Sequence, residues 1–461
     1  MRDGPMHNRG IRAAKGVLSL SMMVFCILIL ASVSLALWPF SDWGGEGGGK
    51  TEASRAGALA GRHVTCLTNP PHARSSEILA EWFHEETGAV ARNIVVDYGE
   101  MLNFTLRDMG AADPHLDVIM FWYADLGALV EKGALEDLTG LIEQNAGTIR
   151  PDDFIPSLYD PYTLYRGKRW ALPYDGDTHV LFYRKSIFKK HGLAPPETWK
   201  DYLNIARTIT EKEKSNGIYG TAIMLPPIPM ISVSSFMDRL GCYGGKLLDG
   251  SGIPSLNSPE AVAALTGMAE QAKYALPTPL ETDWEVSRDA FLSGKVAMAE
   301  QWTDIGLMAE DPAQSLIQGD WGVVQMPKGE GSKASHAPAL NSGFSLGVSK
   351  RASDPEAARA FVLFATRPDV TLRLNLINGG IDPTRISVLK SEKYRKFAPD
   401  VSAAARAALD GALAWPTVPQ TPRLLEALAK NLILAVEGHK SPQQALEAAQ
   451  TQWLEILELK R

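Results

Sequence analysis

Several short runs in this sequence set an aromatic ring or a glycine beside side chains that can form two hydrogen bonds at once. Trp122-Tyr123 closes an apolar run, Asp175, Asp177 and His179 stand around Gly176, and Trp302 precedes Asp304 by two residues. Asp382 and Arg385 share a loop bounded by Gly380 and Pro383. Asp, Asn, Arg and His can each bridge neighbouring hydroxyls, while an aromatic face covers C–H groups. Together they could hold a hydroxyl-rich molecule without reacting with it. Plainer uses stand beside these. Asp175 and Asp177 suit a turn at Gly176, Trp122 and Trp302 could be packing residues, and Arg385 could tie its loop to a carboxylate. His179 has no His or Cys close by, which favours a hydrogen bond over a metal role. No H-E-x-x-H or spaced Cys/His cluster points to a metal, and neither a cofactor nor a catalytic residue is expected.

Two reactive motifs match by letter only. Gly44 to Thr51 fits G-x-x-x-x-G-K-[ST], which holds phosphate only where a strand feeds a loop that opens a helix. Here it follows a long apolar run and reads as a Gly-rich linker. Gly343-Phe344-Ser345-Leu346-Gly347 fits G-x-S-x-G, but that elbow needs its serine between a strand and a helix. Ser345 instead sits inside an extended run ending at Val348, with the next helix starting only near Pro355. Asp382 and His439 come in a permissible chain order, so a hydrolase stays among the alternatives.

The elements that must position these residues alternate. His63 to Thr68 reads as a strand, a helix follows from about Ser75 to Thr87 with Gly88 as its stop, and Asn93 to Val96 is a second strand. Leu116 to Trp122 is apolar enough to be buried on both faces. Val180 to Tyr183 is strand-like, and Thr198-x-x-Asp201 is a capping box. Ser258-Pro259, Asp354-Pro355 and Ser441-Pro442 each pair a cap with a proline at the first helical position. Trp82 and Trp199 fall on helical stripes and belong to the core. Alternating strands and helices imply an α/β protein with mostly parallel sheets.

The 461 residues are too many for one simple core, so two lobes are expected. A net charge of -7, without clustered Lys or Arg, argues against nucleic acid as a partner. Residues 1–16 form a basic, cytoplasmic n-region, and 17–37 run without charge for a length that spans a bilayer or forms a signal peptide. Both fates stay open, since Ser34-Leu35-Ala36 offers a cleavage site and Cys26 lacks a lipobox. Either way the rest of the chain is exported, behind a linker over 38–60. Of the three cysteines only Cys66 and Cys242 lie in the folded body, and buried free thiols are the favoured reading over a disulfide.

An ordered set of segments resembles the family 1 extracellular solute-binding proteins, sugar-binding components of ABC importers related to maltose-binding protein. The segments are Glu85 to Gly88; Asp117 to Met120, running on to Gly133-Ala134-Leu135-Glu136-Asp137-Leu138; Gly167 to Asp175 with Tyr183-Arg184-Lys185 and Pro196 to Trp199; Ala290 to Met298; and Gly343 to Ser349 with Gly380 to Arg385. The usual lipobox cysteine is missing, and a common Gly-Gly pair is Ser342-Gly343 here. The resemblance implies a two-lobed periplasmic-binding-protein-like α/β fold (type II), with a ligand cleft between lobes joined by hinge crossings. By position, lobe one would hold 61–178 and 302–343, and lobe two 179–301 and 344–461. Crossings would fall near Asp175–His179, Glu300–Trp302 and Gly343–Ser345. The cleft would then bring together Asn69, Tyr98, Trp122, Tyr123, Asp175, Asp177, His179, Trp302, Asp304, Gly343, Phe344, Asp382 and Arg385. A sugar or polyol would be the ligand, and ABC importer membrane subunits the partners. The inner membrane joins them if the N-terminal segment is retained. The rival readings are a glycosidase and a tethered ligand-sensing ectodomain.

Overall fold

The structure is a computed structural model that describes Gly57 and residues 59–459, apart from 332, 337–341, 378–380, 398 and 410–411. The apolar segment 17–37, Cys26, the phosphate-loop look-alike at 44–51 and Gly380 lie outside the described residues. Among the described residues no helix is long and apolar enough to cross a membrane.

Two sheets organise the body. The first contains β1 (His63–Thr68), β2 (Val90–Val95), β3 (Val118–Trp122), β6 (Leu172–Asp175) and β11 (Phe344–Val348), in the order β2-β1-β3-β11-β6. The second contains β7 (His179–Arg184), β8 (Tyr219–Thr221), β9 (Val296–Trp302) and β10 (Trp321–Val324), in the order β10-β7-β9-β8. A small hairpin of β4 (Leu164–Tyr165) and β5 (Lys168–Arg169) stands apart from both. Helices cover each sheet, so the protein is a two-lobed α/β body, as expected.

Local chemistry explains the boundaries. The helix Ala73–Thr87 stops at Gly88, whose φ of 76° closes the last turn from the left-handed region. Thr198 and Asp201 make both bonds of the capping box that opens Trp199–Glu213. Ser258, Asp354 and Ser441 each cap a helix with proline at its start. β3 and β11 are buried along their whole length, which is why both read as continuous apolar runs. Cys66 and Cys242 are free and buried.

Two expectations change. The sheets are mixed: β1 pairs in parallel with β2 and β3, and β8 with β9, but β11 runs antiparallel to β3 and β6, and β7 runs antiparallel to β9 and β10. Strands next to a crossing return in the opposite sense, which alternation along the chain does not reveal. The second change concerns the expected lobe boundaries, where the later pieces trade places. β10 pairs with β7 across Trp321–Val324, so the chain after Trp302 stays with the second sheet instead of joining lobe one. No crossing occurs at Glu300–Trp302. β11 pairs with β3 through Phe344↔Trp122 to Val348↔Val118, so the start of 344–461 belongs to the first sheet. The helix Pro355–Ala365 packs on β11 and β1. The helices Pro399–Leu409, Thr421–Val436 and Pro442–Ile456 then pack on the second lobe.

Candidate ligand-binding site

The chain passes from β6 to β7 through Gly176, Asp177 and Thr178, and returns to the first sheet through Ser342 and Gly343. These two crossings run side by side: Ser342 N donates to Asp177 O at 3.0 Å. A third segment joins them, because Gly176 N donates to Asp382 O at 3.2 Å and Asp382 N donates to the Asp175 carboxylate at 2.7 Å. Two glycines permit this closeness. A Cβ on Gly343 would sit 1.9 Å from Asp175 O, and one on Gly176 would sit 2.1 Å from Pro383 O. Gly343 N also donates to the Tyr162 hydroxyl at 2.6 Å.

A cavity opens against this hinge, with about 470 Å³ of empty space when the solvent at its mouth is included, and both lobes line it. From the first lobe come Asn69, Pro71 and His72 in the turn after β1, Tyr98 after β2, and Phe344 at the start of β11. Asp177 and Ser342 come from the crossings. The second lobe supplies Met230 and Ile231 from the first turn of Pro229–Cys242, Trp284 from the start of Trp284–Leu292, and Trp302 and Asp304 from the end of β9. Four aromatic rings thus surround one space that is floored by polar groups.

The rings are held from behind. His179 meets Trp302 edge to face at 4.0 Å between centroids, and its Nδ1 is 2.7 Å from Asp238 Oδ2. His72 meets Phe344 edge to face at 5.0 Å, and its Nε2 is 2.8 Å from Asp175 Oδ2. Beneath Trp302's strand, Arg239 forms a buried double contact with Glu300 at 2.9 and 3.0 Å and lies over the Trp199 ring at 4.1 Å. That fixes β9 against the helices of its lobe.

The floor is acidic. Burial raises the half-buried Asp177 carboxyl well above the ordinary carboxylate range, and Asp175, Asp382 and Asp304 push it further. Burial likewise raises Asp304 to about 8 and Asp382 to about 7, with Asp175 close to both. Oxygens of Asp175, Asp177 and Asp382 lie within 4.8 Å of one another, a spacing a metal ion could use. Asp175, however, already engages His72 and the backbone of Asp382, so this trio reads as a lock between hinge segments. Three buried polar atoms on lining residues have no protein partner among the described residues: His72 Nδ1, Asp304 Oδ1 and Ser342 Oγ. Buried polar atoms are nearly always satisfied, so these mark where a polar guest would bond.

Of the residues expected at the cleft, Asn69, Tyr98, Asp177, Trp302, Asp304 and Phe344 line the cavity. Asp175, Asp382, Gly343 and His179 stand directly behind it and position those that do. Three expectations are corrected. Tyr123 is buried, stacked on Tyr162 at 4.2 Å, and its hydroxyl accepts from Trp415 N at 2.8 Å. Trp122 packs edge-on against Trp415 at 4.8 Å, serving the core and not a platform. Arg385 is fully buried, 3.5 Å from Asp153 and over the Phe154 ring at 3.9 Å, so it ties its loop to the lobe. His72, Trp284 and Ser342 were missed. The first follows the Asn69-Pro70-Pro71 turn at the same strand edge as Asn69, a signal that was present. Trp284 follows the capping Asp283 and resembles any core tryptophan at a helix start. Ser345 lies within β11, donating to Tyr162 O at 3.0 Å, and His439 is exposed beside Glu437, so the G-x-S-x-G match assembles no triad.

Residues 71–371 match the family model described as bacterial extracellular solute-binding protein. The chain belongs to that family. Membership makes the folded body extracytoplasmic, and the family's members bind solutes rather than transform them. The chain is 26% identical over 370 residues to a probable amino-acid ABC transporter periplasmic-binding protein of Sinorhizobium fredii, covering 79% of this chain and 81% of that one. It is 25% identical over 295 residues to the mannitol-binding protein of Pseudomonas aeruginosa, covering 62% and 65%. An ABC transporter solute-binding protein of Agrobacterium radiobacter, solved in complex with ribitol, superposes with a TM-score of 0.77 at 26% identity, covering 86% of this chain and 98% of that one.

Proposed function

We propose that this protein captures a sugar or polyol outside the cytoplasm by hinge closure and hands it, chemically unchanged, to the membrane subunits of an ABC importer. One observation carries the reading: a cavity at the hinge, lined from both lobes by four aromatic rings and by buried polar atoms that lack partners among the described residues. Rings cover C–H faces while carboxylates, Asn69 and Ser342 take hydroxyls, the division of labour a polyhydroxylated guest requires. The ribitol complex and the mannitol-binding relative support the class. A free amino acid fits less well, because its carboxylate needs a cation and, among the described residues, no Lys or Arg lines the cavity. Retention of the apolar segment 17–37 would anchor the body to the membrane, and cleavage would release it to the periplasm.

A thermal-shift panel tests the proposal. Ribitol, mannitol, maltose and other neutral carbohydrates are offered beside ATP, with the solution analysed for turnover. A ligand at 100 times its Kd adds about 2.7 kcal/mol of stability. We expect a clear rise with at least one carbohydrate or polyol, none with ATP, and recovery of the ligand intact. A cleaved oligosaccharide would favour a glycosidase instead, since two carboxyls flanking a bound sugar are that chemistry's equipment.

A further inference from the structure

The charge around the cavity is one-sided, and the two lobes bring it together. Burial raises the Asp304 carboxyl of the second lobe, and Asp382 and Asp175 on the first push it further, so closure sets carboxyl groups of both lobes against each other. The pattern repeats at Tyr98. Asp97, which precedes it on the first lobe, and Asp283 and Glu285, on the second, all bear on its hydroxyl, and Asp97 also bears on Glu285. The basic side chains nearby are engaged elsewhere. His72 is paired with Asp175 at 2.8 Å. Arg288 lies over the Trp284 ring at 4.4 Å and contacts Asp289 at 2.7 Å. Low-dielectric walls lined by one sign of charge focus the field on whatever enters.

We propose that the ligand carries a positive charge as well as hydroxyls: a protonated amino sugar or amino alditol, with its ammonium among Asp177, Asp304 and the surrounding aromatic rings. The proposal rests on the sugar-or-polyol reading and narrows it. An ammonium has three donors and no acceptor, which suits Asp304 Oδ1 and Ser342 Oγ, two acceptors without partners among the described residues. Trp284, Trp302 and Tyr98 add faces that attract a cation. A neutral polyol would use the same hydroxyl contacts and leave the raised carboxyls of the closed cleft protonated, whereas an ammonium beside them favours their ionised form. A phosphate ester would add to the repulsion.

Matched pairs decide it. Isothermal titration of the full-length protein at pH 7 compares 1-amino-1-deoxy-D-glucitol with D-glucitol, and D-glucosamine with D-glucose, with glycerol 3-phosphate as the anionic probe. The amine of at least one pair should bind tenfold or more tightly than its neutral isostere, with the difference shrinking at high salt. Asp304→Asn should reduce that preference to threefold or less, and circular dichroism checks that the variant is folded. A neutral isostere that binds as tightly as its amine, or tighter binding of glycerol 3-phosphate, overturns the charge proposal and leaves the sugar-or-polyol reading standing. No heat from any sugar or polyol, neutral or charged, overturns both.

Discussion

Replacing Asp177 with asparagine should stabilise this protein, and only on the alkaline side. The Asp175, Asp177 and Asp382 oxygens lie within 4.8 Å of one another. Two ionised carboxylates at that separation repel by about 3 kcal/mol at an effective dielectric of 20. His72 offsets part of this through Asp175, which makes that figure an upper value. The sign follows from linkage. Asp177, Asp304 and Asp382 have folded pKa values raised above the unfolded carboxylate value, so the folded state holds more protons across the interval between them. Stability is therefore fully present below about pH 4 and is lost as pH rises through 7 and 8, where Asp382 and Asp304 titrate. Asparagine has the shape of the protonated acid and cannot ionise. Urea unfolding of Asp177→Asn should match the native protein at pH 4 within about 0.5 kcal/mol and exceed it at pH 8 by up to about 3 kcal/mol. In thermal scans the gain corresponds to a Tm rise of roughly 3–6 °C for a body of this size. Equal destabilisation at both pH values would refute the reasoning, because it would make the carboxylate a net structural contact.

Other parts of the site make their own predictions. Trp302→Ala should weaken binding of the best panel ligand by about 2 kcal/mol, or roughly thirtyfold, in titration calorimetry, whereas Trp82→Ala, far from the cavity lining, should leave affinity unchanged. Arg239→Ala strands Glu300 as a buried charge and should cost about 3–5 kcal/mol in urea unfolding; a loss below 1 kcal/mol would mean that water reaches the pair. Gly343→Ala drives a Cβ to 1.9 Å from Asp175 O, so it should lower Tm and reduce affinity together by parting the crossings. Burial raises both thiols, Cys242 to about 12, so a thiol reagent at pH 8 should label neither Cys66 nor Cys242 until the protein is unfolded.

Elements set by local rules were legible in the sequence. The strand His63–Thr68 has the bounds read from its residues, and the caps at Thr198, Ser258, Asp354 and Ser441 form where their side chains indicate. Partnership was not legible. β10 and β11 are both short apolar runs, and nothing in Trp321–Val324 or Phe344–Val348 says which sheet will receive it, because pairing is decided by distant strands. The same limit governs the site. Asp177, Trp302 and Asp304 were visible because an unusual polar or aromatic residue stood at a strand end. Tyr123 and Arg385 looked equally suitable, yet their side chains turn to Tyr162 and Asp153, a choice made by packing from remote segments. Trp284 was hidden for the opposite reason: its role depends on the first lobe closing over it.

Two hinged lobes that shut around a solute must draw closer on binding, and the distance between them can be followed in solution. Fluorophores would be placed on cysteines introduced at exposed Asp97 on the first lobe and exposed Glu281 on the second, with transfer efficiency followed during titration of the best ligand. Closure gives a saturable rise in efficiency with the midpoint of the calorimetric binding curve, reversed when ligand is dialysed away. Efficiency that stays flat while heat shows saturation would contradict it, because binding would then proceed without closure.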